Sequence, residues 1–508
     1  MSMLRTKGKQ LSIGCVAYDK IPDDHMLKII AQAVDFSFIN DLLASSYCRD
    51  KGRPAKEPEL MAKLLFLKYL YNLSDVRVIE EATFNLVWLW FLGLNPEDVL
   101  PEPSLLTKFR TERLKECSLD DIITEIVRQC VDQGLVKGNG VSIDATHMHA
   151  NTRKLLPERI MEHLAKKIFS SLEEEHGEVP QGIDSSIPNW CVIDDHKVAK
   201  STMKQYLETV IAQAEPVAGE ETKAVIAEAK DILADELFLV QKGLRSLVDQ
   251  DARVGRKSKE ESFFGYKDEF IMTTDERIIV ATTVHSGEQV DGKKFDLLMD
   301  RALQSGIRPT EVFGDKAYFK RDILDRIEAE NAQAYIPVNP ITYRVDEARF
   351  AYNKDSDQWS CSRGNETGQG KRKCRKNGDP FLLYTFGTNQ CVDCPDRAAC
   401  FGTSKRRARV LQVSLNTGDN YLISQKQKTD EFKTHYKKRA AHEWKNGEMK
   451  QFHGLARAKG YGLSSVTTQA KLTAIAVNLK RIASLVIQKV TVSIALLRVR
   501  CGLPLLAR

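Results

Sequence analysis

The sequence predicts an α/β protein in which helices cover a mixed sheet. Apolar residues recur at helical spacing through residues 1–136, as in the run Leu60–Leu70. From residue 137 to residue 340, strand patterns alternate with helix patterns, which is typical of a sheet flanked by helices. The chain has 508 residues, 42% of them hydrophobic and 28% charged, the balance of a soluble globular protein. A chain of this length predicts several structural units.

The N-terminal residues 1–136 are predicted to form several short helices. One of these segments, Ser104–Leu114, carries three basic side chains on its polar side. A helix-turn-helix-like DNA reader fits this pattern, and an ordinary dimerising helical bundle fits it equally well.

Two of the predicted strands end on an aspartate. Gly140–Asp144 and Glu311–Asp315 both read as buried strands, with a long helical insertion at about 155–248 between them. Open α/β sheets build their sites at the carboxyl ends of strands, and an unpaired buried carboxylate is costly. Carboxylates that share divalent cations promote in-line phosphoryl displacement, and Mg²⁺ is the natural ion for oxygen ligands. A turn-forming role is the alternative for either aspartate alone.

A third carboxylate lies on a predicted helix at 436–450. At about 100° per residue, one narrow stripe of this helix carries four residues of very different chemistry, namely Tyr436, Arg439, Glu443 and Lys450. A carboxylate beside two cations suits a metal ligand with phosphate contacts next to it. A solvated face with an Arg439–Glu443 ion pair is the alternative.

Cysteines are concentrated in a polar stretch at 341–425. The two residues between Cys391 and Cys394 allow both thiolates to reach one tetrahedral zinc ion, and Cys400 follows closely. The fourth ligand would be Cys361 or Cys374. Reduced thiols without a metal are the alternative. Residues 362–380, rich in Gly, Lys and Arg, are expected to form a mobile loop.

Positive charge is concentrated in two segments. The net charge is only +6, but residues 425–460 carry ten basic and four acidic side chains, and residues 371–409 carry ten and three. Such zones on a neutral body favour a polyanion partner, with a solvated charged face as the alternative. No signal peptide is expected at Met1–Lys20, and Lys489 interrupts the C-terminal apolar run, so no membrane span is expected.

The motifs around the three carboxylates resemble those of DDE insertion-sequence transposases. The spacing Tyr-x2-Arg-x3-Glu-x6-Lys, met in full around Glu443, resembles the third-carboxylate motif of that family. Ser-Ile-Asp-Ala-Thr-His at Asp144 and Gly-Asp-Lys-Ala-Tyr at Asp315 resemble the first and second motifs. The sequence departs from the family at Lys316-Ala317, where a small residue and Gly are more common, and at His442, where a hydrophobic residue is.

Further matches resemble one branch of that family, the eleven-eighty-two group, which has a long helical insertion after its first aspartate. They lie at 251–259, 262–267, 450–455 and 469–481. In the cysteine segment, Cys-Ser-Arg-Gly at Cys361 resembles a family Cys-Pro-x-Gly, which favours Cys361 over Cys374 as the fourth zinc ligand.

The resemblance implies a ribonuclease-H-like core in which Asp144, Asp315 and Glu443 are catalytic and hold Mg²⁺ or Mn²⁺. Tyr436, Arg439 and Lys450 would contact DNA. The implied activity is cleavage and strand transfer at the terminal inverted repeats of an insertion sequence, by a homodimer that holds these ends and the double-stranded target DNA. A bacterial cytoplasmic, nucleoid-associated location follows.

Three other functions are compatible with parts of the sequence. A nuclease or resolvase on the same core would cut without joining. A binding-only DNA protein would leave the three carboxylates without a role. A tyrosine recombinase acting through Tyr436 would leave them unexplained as well.

The predicted organisation has five parts. They are a helical DNA-binding or dimerisation domain (1–136), a first part of the catalytic core (137–340), a cysteine-rich basic insertion (341–425), a second part of the core carrying Glu443 (426–490) and a tail (491–508).

Overall fold

The computed structural model describes residues 13–47, 55–114, 116–240, 243–258, 260–376 and 378–500. The first twelve residues, where no signal peptide is expected, and residues 501–508 of the predicted tail lie outside the described residues. The chain divides into two compact units. The first unit combines residues 1–308 with 441–508, and the second unit is residues 309–440.

The N-terminal part of the first unit is helical. Its α-helices are α1 (Met26–Ala33), α2 (Phe38–Leu43), α3 (Pro58–Leu70), α4 (Asp75–Phe84), α5 (Leu86–Phe91), α6 (Pro103–Lys108) and α7 (Glu116–Asp132). Side chains cap several of them; for example, Ser74 Oγ accepts the Arg77 N–H at 3.1 Å, and Asn85 Oδ1 accepts the Val87 N–H at 3.1 Å. Such N-caps satisfy amide groups that have no partner inside the helix.

The sheet of the first unit is antiparallel and centred on one strand. Its strands are β1 (Gly140–His149), β2 (Arg253–Arg256), β3 (Ser262–Thr273) and β4 (Ile279–Ser286). Strand β3 pairs with each of the other three. Because β1 continues to His149, Asp144 lies in mid-strand, and the prediction that the strand ends on Asp144 is wrong.

The predicted helical insertion is present between β1 and β2. Helices α8 (Pro157–His176), α9 (His196–Ala214) and α10 (Glu220–Ala234) pack around their own apolar cluster. The Glu175 carboxylate, near the end of α8, accepts the Gly219 N–H at 2.8 Å and the Thr222 N–H at 3.1 Å. It thereby stabilises the start of α10. Helix α11 (Phe295–Gln304) follows β4.

The second unit begins with a strand–helix–strand element. Strand β5 (Glu311–Phe313) is followed by α12 (Arg321–Ala329) and by β6 (Gln333–Tyr335), which pairs with β5 in parallel. Parallel and antiparallel pairs therefore both occur, and the mixed α/β class is confirmed.

Among its described residues, the rest of the second unit contains a hairpin, a three-stranded sheet and four α-helices. The hairpin is β7 (Phe350–Asn353) with β8 (Gln358–Cys361), and the sheet is β9 (Lys371–Cys374), β10 (Pro380–Thr385) and β11 (Val410–Val413). The helices are α13 (Thr388–Val392), α14 (Arg397–Phe401), α15 (Thr417–Gln427) and α16 (Asp430–Tyr436).

Strand β9 corrects the expectation of a loop over residues 362–380. Its backbone pairs with β10 from Lys371 opposite Leu383 to Cys374 opposite Pro380. All four of its side chains are exposed, as expected for a strand at the edge of a sheet. The absence of apolar alternation therefore reflects an edge strand rather than a loop.

Two helices complete the described chain. Helix α17 (Ala440–Phe452) carries Glu443, and α18 (Leu463–Arg500) packs against α1, α3, α7 and β4. Asn478 of α18 accepts the Ile279 N–H at 2.8 Å and donates to the Ile279 carbonyl at 2.7 Å. This buried amide fixes α18 along the edge of the sheet. Within the described ranges, no helix is long and apolar enough to cross a membrane.

Candidate active site

Asp144 lies on the face of the sheet that α17 covers. Successive side chains of a strand alternate between faces, and directly opposed residues share one. Ser142 therefore shares the face of Asp144, as does Phe270, which lies opposite Asp144 in β3. The Asp144 side chain is half-buried, and one of its carboxylate oxygens accepts the Ala145 N–H at 2.9 Å.

His442 attaches α17 to that face. Its Nδ1 lies 2.9 Å from Ser142 Oγ, and its ring stacks on Phe270 with centroids 4.1 Å apart. The side chain is fully buried. The next residue, Glu443, is exposed. The structure thus places the helix that carries the third carboxylate over the strand that carries the first. The departure from the family pattern at His442 does not leave this side of the helix exposed.

Lys450 lies farther along the same helix and approaches β1. Its Nζ is 3.5 Å from His147 Nδ1. Burial, followed by repulsion from Lys257, lowers the pKa of Lys450 to about 8. Burial and the charge of Lys450 lower the pKa of His147 to about 4, so this imidazole is neutral at pH 7. Lys450 is therefore a cation that gives up its proton more readily than an ordinary lysine.

Asp315 follows closely on β5 in the second unit. Its Oδ1 accepts the Ala317 N–H at 2.7 Å, which starts a short 3₁₀ turn, Lys316–Tyr318. The strand itself ends two residues earlier, at Phe313. The departure from the family pattern at Lys316-Ala317 is therefore compatible with an ordered turn in which Asp315 is the capping residue.

The segment that leads to Tyr436 and Arg439 packs against the strands of the second unit. His435 Nδ1 lies 2.7 Å from Glu311 Oε1, and Lys438 Nζ donates to Glu311 Oε2 at 2.8 Å. Residues 436–450 do not form one regular helix, because α16 ends at Tyr436 and a 3₁₀ turn, Lys437–Arg439, precedes α17. The prediction of a single helix over 436–450 is wrong in this respect.

An aromatic stack continues this packing inside the second unit. Phe313 of β5 stacks on Tyr335 of β6 at 5.0 Å between centroids, and Tyr335 stacks in turn on His435 at 5.1 Å. Phe432 stacks on Tyr436 at 5.8 Å. The segment that carries two predicted DNA contacts is thus held against β5, the strand that leads to Asp315, and against its neighbour β6.

Metal binding by the three carboxylates remains a prediction. Oxygen donors of this kind suit Mg²⁺ or Mn²⁺. Within the described ranges, no group of three or more His, Cys, Asp or Glu side chains is already arranged to hold a metal ion. The structure does bring two pairs of elements together. Within the first unit, Asp144 lies beneath the helix of Glu443. Within the second unit, Asp315 lies near the segment of Tyr436 and Arg439.

The predicted zinc ligands are free thiols, namely Cys361, Cys391, Cys394 and Cys400. Cys391 is buried in an aromatic cluster with Trp359, and Cys361 and Cys400 pack against that cluster. Burial raises the pKa of the Cys400 thiol. In the part of the chain that the structure describes, these thiols are not arranged as a ready metal site. The alternate ligand, Cys374, is exposed on β9, and zinc binding stays a prediction.

Sequence reasoning missed a carboxyl group on the site's own face. Asp268 lies opposite Thr146, two residues along β1 from Asp144, and is buried. Its carboxyl is hydrogen-bonded to Thr282. Burial raises the pKa of Asp268 to about 7. The sequence does contain a sign of this group, because the acids Asp268 and Glu269 stand side by side within the otherwise largely apolar strand pattern of 262–273.

Two family models match the chain. A transposase domain matches residues 16–112, and a transposase DDE domain matches residues 360–483. These matches indicate a DDE-type insertion-sequence transposase. The DDE match contains Glu443 and the three predicted DNA contacts, whereas Asp144 and Asp315 lie outside it.

Comparisons with individual proteins are more distant. An uncharacterized protein of Rhizobium meliloti, ORF8 in the nfe locus, is 28% identical over 105 residues, which are 20% of this chain and 50% of that protein. The chain thus spans about half the length of this curated relative. A cryo-EM structure of a piggyBac transposase synaptic complex with hairpin DNA is 9% identical, with 98% of this chain and 79% of that chain covered and a TM-score of 0.31.

Proposed function

We propose that this chain binds the terminal inverted repeats of an insertion sequence and catalyses DNA cleavage and strand transfer with divalent metal ions. One observation carries the proposal: the Glu443 helix lies over the sheet face that bears Asp144, fixed there by His442. The DDE family match over residues 360–483 supports the same reaction class. The proposal includes a ribonuclease-H-like core and membership of the eleven-eighty-two group.

Asp144, Asp315 and Glu443 would hold Mg²⁺ or Mn²⁺. Bound ions of this kind activate a hydroxyl group and stabilise the leaving oxygen of an in-line displacement at phosphorus. The chain's own cations would position the DNA: Arg439 and Lys450 would bind phosphates near the cut, with Tyr436 beside them. His147, neutral at pH 7, leaves the positive charge of Lys450 available for a phosphate.

The proposal assigns DNA as the partner, both as the element's ends and as the target. Two ends must be held together for transposition, so a homodimer on DNA is part of the proposal. The basic segments 371–409 and 425–460 would add sequence-independent affinity for the backbone. A cytoplasmic, nucleoid-associated location in a bacterium follows from a DNA partner.

The test uses the full chain with Mg²⁺ and a duplex that carries the ends flanking its own gene. The wild-type protein should cut at these ends, and Asp144→Asn and Glu443→Gln should each lower cutting by about a thousandfold or more while DNA binding persists. Matched controls are Asp231→Asn and Glu174→Gln, exposed positions on the helical insertion. Full cutting by either site variant would contradict the assignment.

A joining assay then separates strand transfer from simple cutting. A labelled 3′ end should appear covalently attached to target DNA when the wild-type protein and Mg²⁺ are present. Cutting without any joined product would identify a nuclease or resolvase instead. Binding without cutting would identify a DNA-binding protein that lacks the catalytic activity.

A further inference from the structure

A large cleft in the first unit has walls that include neither Asp144 nor Glu443. Its volume is about 980 Å³, and its walls come from residues 68–75, 110–114 and 459–469. The first two stretches fall largely within the matched transposase domain at 16–112, and the third falls within the matched DDE domain at 360–483. Both matched segments therefore contribute to one cleft.

The cleft carries an excess of positive charge. Among the described residues that line it are three cations and one carboxylate, namely Lys68, Arg110, Lys459 and Asp75. Lys68 Nζ donates to Asp75 Oδ1 at 2.7 Å, and Arg110 makes two bonds to the same carboxylate at 2.7 and 2.6 Å. One carboxylate is thus shared by two cations. With Lys459 included, the three cations and one carboxylate give the cleft a net charge of two positive.

Lys459 is the cation that Asp75 does not bind. Its Nζ donates to Asn72 Oδ1 at 2.8 Å and lies 5.1 Å from the centroid of the Tyr69 ring. Both of these partners are uncharged. Burial and repulsion from Lys68 lower the pKa of Lys459 to about 8. The cations of the cleft therefore repel one another, and a bound anion would relieve that repulsion.

Hydroxyl groups complete the lining and favour an oxyanion over a simple halide. Five residues contribute them, but Thr111 and Thr468 already donate their hydroxyls to backbone carbonyls at 3.1 and 3.0 Å. The hydroxyl donors that face the cleft are therefore those of Ser74, Ser464 and Ser465. Two amide groups at the start of α18 are already engaged, because Asp251 accepts the Leu463 N–H at 2.7 Å and Asp249 accepts the Gly462 N–H at 3.2 Å. The attraction for an anion is therefore argued from the side-chain cations.

We propose that this cleft binds phosphate groups of the DNA backbone, separately from the site of Asp144 and Glu443. The identity of the DNA rests on the proposed function, whereas the phosphate chemistry rests on Lys68, Arg110 and Lys459. Three cations among hydroxyl donors match a phosphodiester oxygen in charge and in hydrogen bonding. Such contacts would position the duplex without reading its sequence.

The test measures DNA binding without metal, so that it does not depend on cutting. Fluorescence anisotropy of the full chain would use a labelled duplex with the element's end and a second duplex of unrelated sequence, both in EDTA. Lys459→Ala should weaken binding to both duplexes by a similar factor, roughly three- to tenfold, and reduce the salt dependence by about one phosphate contact. Lys459→Arg should retain most of the affinity.

Two further variants make the result interpretable. Lys459→Gln removes the charge but keeps a donor for Asn72, so weakened binding by a normally folded Lys459→Gln protein would separate charge from structure. Lys223→Ala, at a lysine exposed on α10, is the matched control and should bind as wild type. Unchanged affinity and salt dependence in Lys459→Gln would overturn the proposal.

Inorganic phosphate distinguishes a DNA site from a site for a small anion. If phosphate raises the melting temperature of the wild-type protein but not of Lys459→Gln, while DNA affinity is equal in both, the cleft binds small phosphates and its assignment to DNA is wrong. A different result would contradict the proposed function. If the chain binds DNA through Lys459 but does not cut it, the catalytic assignment is wrong and the phosphate-binding cleft is retained.

Discussion

The rings of His442 and Phe270 stack with centroids 4.1 Å apart and planes inclined by 24°. Phe270 is the residue opposite Asp144 in the sheet, and His442 precedes Glu443 on α17. One contact between two aromatic rings therefore relates the strand of the first carboxylate to the helix of the third. The bond between His442 and Ser142 at 2.9 Å fixes the orientation of the histidine ring.

Replacing His442 should impair cutting without removing any carboxylate. His442→Ala leaves a cavity beneath α17 and removes a buried hydrogen bond, so we expect a loss of about 2–4 kcal/mol in the free energy of unfolding. A shift of Glu443 by about 1 Å would lower the cutting rate by up to about a hundredfold. Denaturant melts and the cutting assay measure the two effects.

His442→Phe separates the two contributions of the histidine. It keeps an aromatic ring against Phe270 and loses the bond to Ser142, so its cutting rate should lie between those of wild type and His442→Ala. His163→Ala, an exposed histidine on α8, should match wild type in both assays. Wild-type cutting by a folded His442→Ala protein would show that the stack does not position Glu443.

The types of the elements were predictable because they depend on local periodicity. The helical insertion between β1 and β2 follows from apolar residues at helical spacing, and its helices α8, α9 and α10 bury one cluster of their own. The length of β1 was not predictable in this way. His149, at its end, donates its N–H to the Ala456 carbonyl at 3.0 Å and accepts from the Ala458 N–H at 2.8 Å. Partners so distant along the chain cannot be read from a local pattern.

The site shows the same division between local and distant information. The spacing around Glu443 marks a stretch of chain as a candidate site, but the contact that attaches it to β1, between Ser142 and His442, joins residues 300 positions apart. Asp268 escaped notice because its strand reads as apolar, and only the opposite strand reveals that it shares a face with Asp144. Charge counts indicated DNA, yet the cleft at Lys459 draws on three separate segments.

Asp315 should tolerate a change that preserves its turn and still lose its chemistry. Asn caps a helical turn about as well as Asp, so Asp315→Asn should keep the bond to the Ala317 N–H and melt within about 0.5 kcal/mol of wild type. Its cutting activity should nevertheless be lost, because an amide does not replace a carboxylate as a metal ligand. Asp315→Ala should lose both the cap, about 1 kcal/mol, and the activity. Wild-type cutting by Asp315→Asn would exclude Asp315 from the catalytic set.

The protonation of Lys450 should make DNA cutting depend on pH. Its pKa is lowered to about 8 by burial and by Lys257, so the cation is present below pH 8 and is lost as the pH rises through that value. The cutting rate at low DNA concentration should therefore fall above about pH 8. Lys450→Arg should move this fall to higher pH, because a guanidinium stays charged.

A control addresses other causes of an alkaline loss of activity. Lys197→Arg, at an exposed position on α9, should leave the pH profile unchanged. Lys450→Ala should cut slowly at every pH and show no fall near pH 8. If wild type and Lys450→Arg have the same pH profile, the loss of activity does not report on Lys450.

The Glu311 carboxylate should make the stability of the second unit depend on pH. Burial raises the pKa of this carboxyl, but its bonds to Lys438 and His435 outweigh burial and hold the pKa below its usual 4.5. A lowered acid pKa contributes stability that is present above the unfolded value and is lost as the pH falls through the folded value. Glu311→Gln should therefore lower the free energy of unfolding by about 1 kcal/mol at pH 7 and by progressively less below pH 4.5.

Thermal melts from pH 3 to pH 8 measure the difference in stability between wild type and Glu311→Gln. The control is Glu366→Gln, at an exposed position in the same unit. A difference that stays constant across this range would mean that Glu311 acts through packing rather than through its charge.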